Sequence, residues 1–389
     1  MKKFPLMKNN ITKNDLSVVS KYFKKNNPIL TSNKNVSKFE RLWSAWLGVK
    51  YSVFVNSGSS SNLLAISILK NLNPNGGEII VPALTWSSDI SSIIHTGFKP
   101  IFVDIELNTL SLSTKKILNA ITKKTVAVFL SHIQGFSGLS DELIITLKKK
   151  KIPLIEDVCE SHGATHNGKK LGTYGLMSNF SFYYAHHMST IEGGMLCTNN
   201  ENVYQMARMI RAHGLVREST SKKIINQYRK KYPDLNPEFI FSFPAFNFRN
   251  NEIGALIGIN QLKRLNKNII ERNKNHILFL KFLNDKNFFK DFKINGSSNY
   301  AFNLVLKNKN KTLFKNICKN LKKNKIEFRI GSAGGGNQLR QPYLKNLINL
   351  KPQSLPETDH VHFYGMYIGN YPGLTKKDIK FICDIINKS

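Results

Sequence analysis

Cysteine is scarce in this chain. Four occur in 389 residues: Cys159, Cys197, Cys318 and Cys383. They lie far apart and no two form a C-x-x-C pair. A disulfide framework, a zinc site and a four-cysteine iron–sulfur site are therefore unsupported, and reduced, mostly buried thiols are expected. Long hydrophobic runs are missing as well. No stretch reaches the ~18 consecutive apolar residues of a membrane-spanning helix. The opening "MKKFPLMKNN" is basic but has neither an apolar stretch nor a small-residue cleavage site, so a cytoplasmic location is expected. Acidic residues are few, with 25 Asp+Glu against 57 Lys+Arg and a net charge of +32. That balance can serve nucleic acid or an anionic surface. Here the lysines are spread among asparagine and isoleucine, as in "LKNKNKTLFKNICKNLKKNKIEF", with no aromatic–basic stripe and no nucleic-acid module. The expectation is a solvated basic surface without a nucleic-acid partner, able to steer an anionic substrate.

What the chain does have is a regular alternation. Short apolar runs ("YSVFVN", "EIIVPA", "KPIFVDI", "KTVAVFLS", "KIPLIED", "SNFSFYY", "GMLCTN") read as buried strands. Helix-length segments such as "SSSNLLAISILKNL" and "SDELIITLKKKK" separate several of them. Buried strands alternating with helices predict an α/β domain with a mostly parallel central sheet. Further on, "NEIGALIGINQLKRLNKNIIERNKNHILFLKFL" carries apolar residues at helical spacing without proline and reads as one long helix. It leads toward "KKDIKFICDIIN", a second amphipathic helix. The expected division is an N-terminal arm over 1–30, a large domain over 31–240, and a smaller α+β domain over 241–389 that begins with the long helix. The glycine-rich "IGSAGGGNQLRQPY" reads as a loop and lacks the spacing of a phosphate loop.

Four stretches carry chemistry. In "NSGSSSNLLA", Asn56 to Ser59 join a strand to a helix, where free N–H groups make an anion site; an ordinary helix cap gives the same pattern. In "PALTW", Trp86 follows a strand at the edge where ligands bind in open α/β sheets; it stacks on a flat ring or belongs to the core. In "IPLIEDVCESHGA", Glu156 and Asp157 end a buried strand, and an acid there needs a cation such as a protonated ring nitrogen. Glu160, one helical turn on, reaches the same ligand. In "SFYYAHHMSTIEGGM", Ser181 is on a strand and His186 follows in a loop before the Glu-Gly-Gly turn.

Together with "RAHG", "FNFRNNEIGALIGINQLKRL" and "YIGNYP", these stretches resemble the nucleotide-sugar aminotransferase family of fold-type I pyridoxal phosphate (PLP) enzymes, over nearly the whole chain and in the same order. The resemblance implies that Gly58, Ser59 and Ser181 hold the cofactor phosphate and that Trp86 stacks on its ring. Asp157 pairs with the ring nitrogen, and Glu160 replaces a glutamine beside the ring hydroxyl. Asn247 reaches a neighbouring subunit's phosphate, which implies a homodimer. His213 and Arg217, in "RAHGLVRE", are candidate contacts to sugar or glutamate, although a capped helix end explains that stretch equally.

One position departs from the family pattern. The family's cofactor-binding lysine lies six residues before the Glu that is Glu192 here, and this chain has His186 there. Imidazole cannot form the covalent link, so PLP or its amine form, PMP, is expected to bind non-covalently. "HHMSTIEGGM", "GGGNQLRQP" and "HFYGMYIGNYP" are similar to the sugar 3-dehydratase branch that acts on GDP-4-keto-6-deoxy-mannose. The resemblance implies loss of the C3 hydroxyl from a nucleotide-linked 4-keto-6-deoxyhexose, with glutamate restoring PMP. His186 is the expected base, poised near neutrality, as its ordinary pKa of ~6.5 allows. His187 is expected to be a neighbour. Related iron–sulfur 3-dehydrases have a cysteine cluster that these four thiols do not match, so no iron and no other metal is expected. Two alternatives stay open: a 4-aminotransferase, and an inactive cofactor-binding regulator.

Overall fold

The computed structural model describes residues 2–347 and 354–389. All seven apolar runs are strands of one sheet: β1 (Tyr51–Val55), β2 (Glu78–Pro82), β3 (Lys99–Val103), β4 (Thr125–Ser131), β5 (Leu154–Asp157), β6 (Met177–Ser181) and β7 (Gly194–Thr198). Their order is β1-β7-β6-β5-β4-β2-β3. β7 runs against both neighbours, and the other adjacent pairs are parallel. The expected α/β class and mostly parallel sheet are thus observed.

These strands are apolar on both sides because both sheet faces are covered. In β1, Val53 and Val55 enter one core and Phe54 the other; in β4, Ala127 and Phe129 are divided from Val128 and Leu130 in the same way. That is the two-residue period of a strand. One face packs under helix α3 (Gly58–Leu72) and helix α4 (Ser87–His95), through Leu64, Ile68 and Ile90. The other packs under α2 (Lys34–Leu47), where Phe39 and Trp43 meet Phe54, Phe180 and Phe182 edge to face or tilted. Each such fully buried side chain contributes about 1.5–3 kcal/mol.

A second sheet of three antiparallel strands comprises β8 (Ala301–Val305), β9 (Phe328–Ile330) and β10 (Gly365–Gly369), with β10 in the middle. The long helix spans Glu252–Phe282. Its first half buries Ala255 and Leu265 in the core of the large sheet, and its last turns bury Phe279 and Leu280 in that of the small one. The helix Lys376–Asn387 packs along it. At the N-terminus, Phe4 exchanges backbone hydrogen bonds with Lys325 and Glu327, and α1 (Lys13–Phe23) follows. Among the described residues no helix is long and apolar enough to cross a membrane.

On the long helix, His276 is fully buried beside Phe136 and Phe292, and among the described residues neither ring nitrogen has a hydrogen-bond partner. Burial pushes its pKa down to about 3. Below the ordinary value of ~6.5 the unfolded chain takes up a proton that the native state refuses, so stability falls with pH by up to ~1.4 kcal/mol per unit. His276→Leu removes this dependence. Its melting temperature, relative to wild type, is expected to rise between about pH 7 and pH 5.

Candidate active site

The carboxyl ends of β1, β2, β4, β5 and β6 open on one cavity of about 310 Å³. Ligands bind at this edge in open α/β sheets, because chain ends and helix N-termini converge there. Gly58, Ser59, Trp86, Asp157, Glu160, Ser181 and His186 all line the cavity.

At one end, β1 turns through Asn56 and Ser57 into α3. The Ser57 hydroxyl caps the helix by accepting from the Ser60 N–H at 3.0 Å. Ser57, Gly58 and Ser59 face the cavity, which gives it the positive end of a 15-residue helix. Gly58 is required by packing. A Cβ there would stand 2.5 Å from Ser181 Cβ and 2.9 Å from its Oγ. A Cβ on Gly194 would likewise meet the Ser57 carbonyl oxygen at 2.2 Å, which accounts for the second glycine of "EGG". The result is a narrow cradle of backbone and hydroxyl groups. Gly58→Ala forces α3 away from β6, and a stability loss of about 1–3 kcal/mol is expected in denaturant unfolding.

The β5 end holds the acids. Strand alternation turns Glu156 and Asp157 to opposite sides, and only Asp157 lines the cavity. Glu156 is buried away from the cavity, where it accepts from the N–H groups of Gly172, Tyr174 and Gly175 at 2.8, 2.9 and 2.7 Å and contacts His132 Nε2 at 3.2 Å. Asp157 faces the cavity. Its Oδ1 accepts from the Cys159 N–H at 2.8 Å and its Oδ2 from Asn62 Nδ2 at 3.1 Å. Glu160 lies on a turn, where the expected helix is absent, and accepts from the Gln134 N–H at 2.9 Å. Burial raises its pKa to about 7, and Asp157 adds to the shift.

Trp86 stands at the N-terminus of α4 with half its surface exposed (53%), a placement open to a flat ligand and unlike a core tryptophan. Across the cavity, the loop between β6 and β7 carries His186. Its backbone N–H donates to Tyr183 O at 3.0 Å, and its carbonyl accepts from Asn10 Nδ2 at 3.2 Å. Its Nδ1 is buried without a partner among the described residues. The ring lies 5.7 Å from that of Tyr300 and 6.0 Å from that of His162. Burial and the Arg272 guanidinium push its pKa down to about 3. The expectation of a base poised near neutrality is corrected accordingly: in the protein alone His186 is a neutral imidazole throughout the physiological range. His187 is buried behind it, with Nε2 3.1 Å from both the carbonyl and the hydroxyl of Ser298.

Three sequence candidates are not in their own chain's cavity. Asn247 is exposed and accepts from Arg249 Nε at 3.1 Å. His213 is exposed in a left-handed turn (φ 62°). Arg217 donates to the Glu238 carbonyl at 2.9 Å and lies over the Phe239 ring. The segment around Asn247 does run along the carboxyl end of β1, where the Asn56 N–H donates to Phe248 O at 2.9 Å and Arg249 bridges to Val55, but these three side chains do not line the cavity. Conversely, sequence reasoning missed Asn62, Asp89, Tyr300, Arg329 and Tyr367, all of which line the cavity. Asn62 lies inside a stretch singled out above and Asp89 three residues past the end of another; the last three come from the second sheet region, and nothing local in sequence marks them. An open groove of about 1140 Å³ continues from the cavity past Trp86, Tyr183 and Arg329, with Lys3, Lys322 and Lys325 on its walls.

Comparison with known proteins gives this geometry a family. Residues 9–387 match the DegT/DnrJ/EryC1/StrS aminotransferase family. The chain is 32% identical to the GDP-4-keto-6-deoxy-D-mannose 3-dehydratase of Yersinia pseudotuberculosis, over 99% of this chain and 98% of that one. It is also 32% identical to the protein of the same name from Escherichia coli O55:H7, over 92% and 93%. A crystal structure of GDP-4-keto-6-deoxymannose-3-dehydratase with a trapped PLP-glutamate geminal diamine superposes with a TM-score of 0.88 at 29% identity, covering 98% of this chain and 100% of that one. The chain belongs to the DegT/DnrJ/EryC1/StrS aminotransferase family.

Proposed function

We propose that this protein is a PLP/PMP-dependent 3-dehydratase that removes the C3 hydroxyl of GDP-4-keto-6-deoxy-D-mannose, with L-glutamate as amino donor, in the cytoplasm. The observation that carries the reading is His186, an imidazole at the cavity wall where the family pattern has its lysine. Two features fit the cofactor. The cradle of Gly58, Ser59 and Ser181 suits a phosphate, since a single Cβ would fill it. Asp157, buried and without an ion-pair partner among the described residues, suits a protonated ring nitrogen. When bound, PMP supplies an amine for the 4-keto group and an electron sink that lets the C3 hydroxyl leave.

The chain's own residues orient and move protons. With the cofactor bound, Trp86 would cover one face of the ring, Glu160 would stand by the ring hydroxyl, and Asp157 would hold the proton on the nitrogen. His186, neutral in the protein alone, accepts a proton from the cofactor's C4′. Anionic cofactor and substrate beside it offset the Arg272 charge and raise its basicity. The groove past Trp86, with Lys3, Lys322, Lys325 and Arg329, has room and charge for a nucleoside diphosphate. Asn247 serves the cavity of a second copy, so the working unit is a homodimer. Incubation with PLP, glutamate and GDP-4-keto-6-deoxy-D-mannose, followed by mass spectrometry, tests this reading. The expected product is a nucleotide sugar lighter by one oxygen atom; an unchanged sugar contradicts it.

A further inference from the structure

One carboxylate at the β5 end of the cavity is accounted for by a ring nitrogen. The structure places a second there. Asp89, in the first turn of α4, is 1% exposed and lines the cavity with Asp157. Its Oδ2 accepts from Ser131 Oγ at 2.6 Å and from Thr85 Oγ1. Its Oδ1 accepts from Asn62 Nδ2 at 2.7 Å, and the same nitrogen reaches Asp157 Oδ2 at 3.1 Å. A single amide therefore ties the two acids together. Among the described residues Asp89 has no ion-pair partner, and the largest influences on it after burial are Asp157 and the hydroxyls of Ser131 and Thr85. Of the titratable groups around the pair, three are themselves acids: the Cys159 thiol from the turn after β5, pushed up by burial and by Asp157 and Asp89; the Tyr343 phenol, pushed up by burial and Asp89; and Glu160, which is raised in part by Asp157. His132, His186 and Arg329 line the same cavity, and among the described residues none of them forms an ion pair with either acid; His132 meets Glu156 instead.

Two buried carboxyls held by one amide, neither with an ion-pair partner among the described residues, cannot both be ionised. Burial, and then Asp157, hold the Asp89 carboxyl well above the usual carboxylate range. The hydroxyls of Thr85 and Ser131 satisfy one Asp89 oxygen, which leaves the other side facing Asn62 and Asp157.

We propose that Asp89 is a positioning residue that keeps its proton and donates a hydrogen bond to the Asp157 carboxylate, so that the acid facing the cofactor ring is a proton-sharing pair with one negative charge. The donated bond fixes the orientation of the Asp157 carboxylate toward the place of the ring nitrogen. No net proton moves and no further group is required. The consequence for the ring rests on the cofactor reading given above; the shared proton does not.

The first test therefore uses the cofactor-free protein, with melting temperature followed against pH for wild type and Asp89→Asn. Above the ordinary acid pKa of ~3.9 the unfolded chain loses the Asp89 proton and the native state retains it. Wild-type stability then falls relative to the variant as pH rises from about 4 to 8. A melting-temperature advantage of Asp89→Asn that grows with pH is expected; parallel curves overturn the proposal. The second test titrates wild type, Asp89→Asn and Asp89→Leu with PMP. Asparagine still offers a donor to Asp157 and is expected to bind close to wild type. Leucine offers none and is expected to bind at least about tenfold more weakly, the loss of one hydrogen bond to a charged group. Equal weakening by both variants overturns the proposal, since it makes Asp89 a matter of packing. If wild type itself does not bind PMP, the cofactor reading fails, and the melting curves still decide whether the pair shares a proton.

Discussion

Replacing His186 with alanine is expected to lower turnover of the sugar about 10²–10⁴-fold, the range of a positioned general base. Cofactor binding is expected to persist, because the groups at the phosphate cradle and the ring nitrogen are untouched. The two effects separate in single-turnover experiments on the PMP form, with bound cofactor followed by absorbance and deoxygenated sugar by mass. The reasoning is geometric. His186 lies on the cavity wall with Nδ1 buried and, among the described residues, unpaired, and the nearest other imidazoles, His162 and His187, are fully buried behind it. His186→Lys sharpens the test. The amine is expected to capture PLP covalently, shown by a gain in protein mass after borohydride reduction, and deoxygenation is expected to be lost. Retained deoxygenation in either variant would move the base elsewhere.

Asp157→Asn is expected to separate binding from folding. Opposite a protonated ring nitrogen, a buried carboxylate that loses its charge costs about 3–5 kcal/mol, so PMP affinity falls at least about 100-fold. The cofactor-free protein is expected to respond in the opposite sense. Asp157 is, after burial, the largest cause holding Asp89 protonated. An amide in its place removes the negative charge that raises Asp89, so the native state no longer holds that proton as strongly against the unfolded chain, and the melting temperature rises at neutral pH. Fluorescence titration and thermal unfolding on the same preparations check both signs. A loss of affinity with a parallel loss of stability would make Asp157 a structural acid.

The large sheet was legible because its strands are buried on both faces and read as uninterrupted apolar runs of the right length. The long helix was legible from its spacing, although its packing against two separate cores was not, since "NEIGALIGIN" and "HILFLKFL" look alike until their partners are placed. Within the site, Gly58, Asp157 and Ser181 come from strand ends that a parallel sheet must align, so chain order carried their proximity. Asn62 and Asp89 were in view and passed over, because a polar residue near a helix start reads equally as a cap or as a solvated face. Tyr300, Arg329 and Tyr367 carry no signal at all; the docking of the small sheet over the large one brings them in. The protonation of His186 could not be read from residue type, because it depends on burial and on Arg272, 86 positions away in sequence, and appears only once the cavity exists.

The central claim is that the chain deoxygenates the sugar and does not aminate it. Glutamate labelled with heavy nitrogen decides this directly, with the label followed after turnover of GDP-4-keto-6-deoxy-D-mannose. A 3-dehydratase releases the label as free ammonia, with one 2-oxoglutarate formed for each oxygen lost from C3. Label found on C4 of the sugar, with the C3 hydroxyl still in place, would make the protein an aminotransferase and contradict the role assigned to His186.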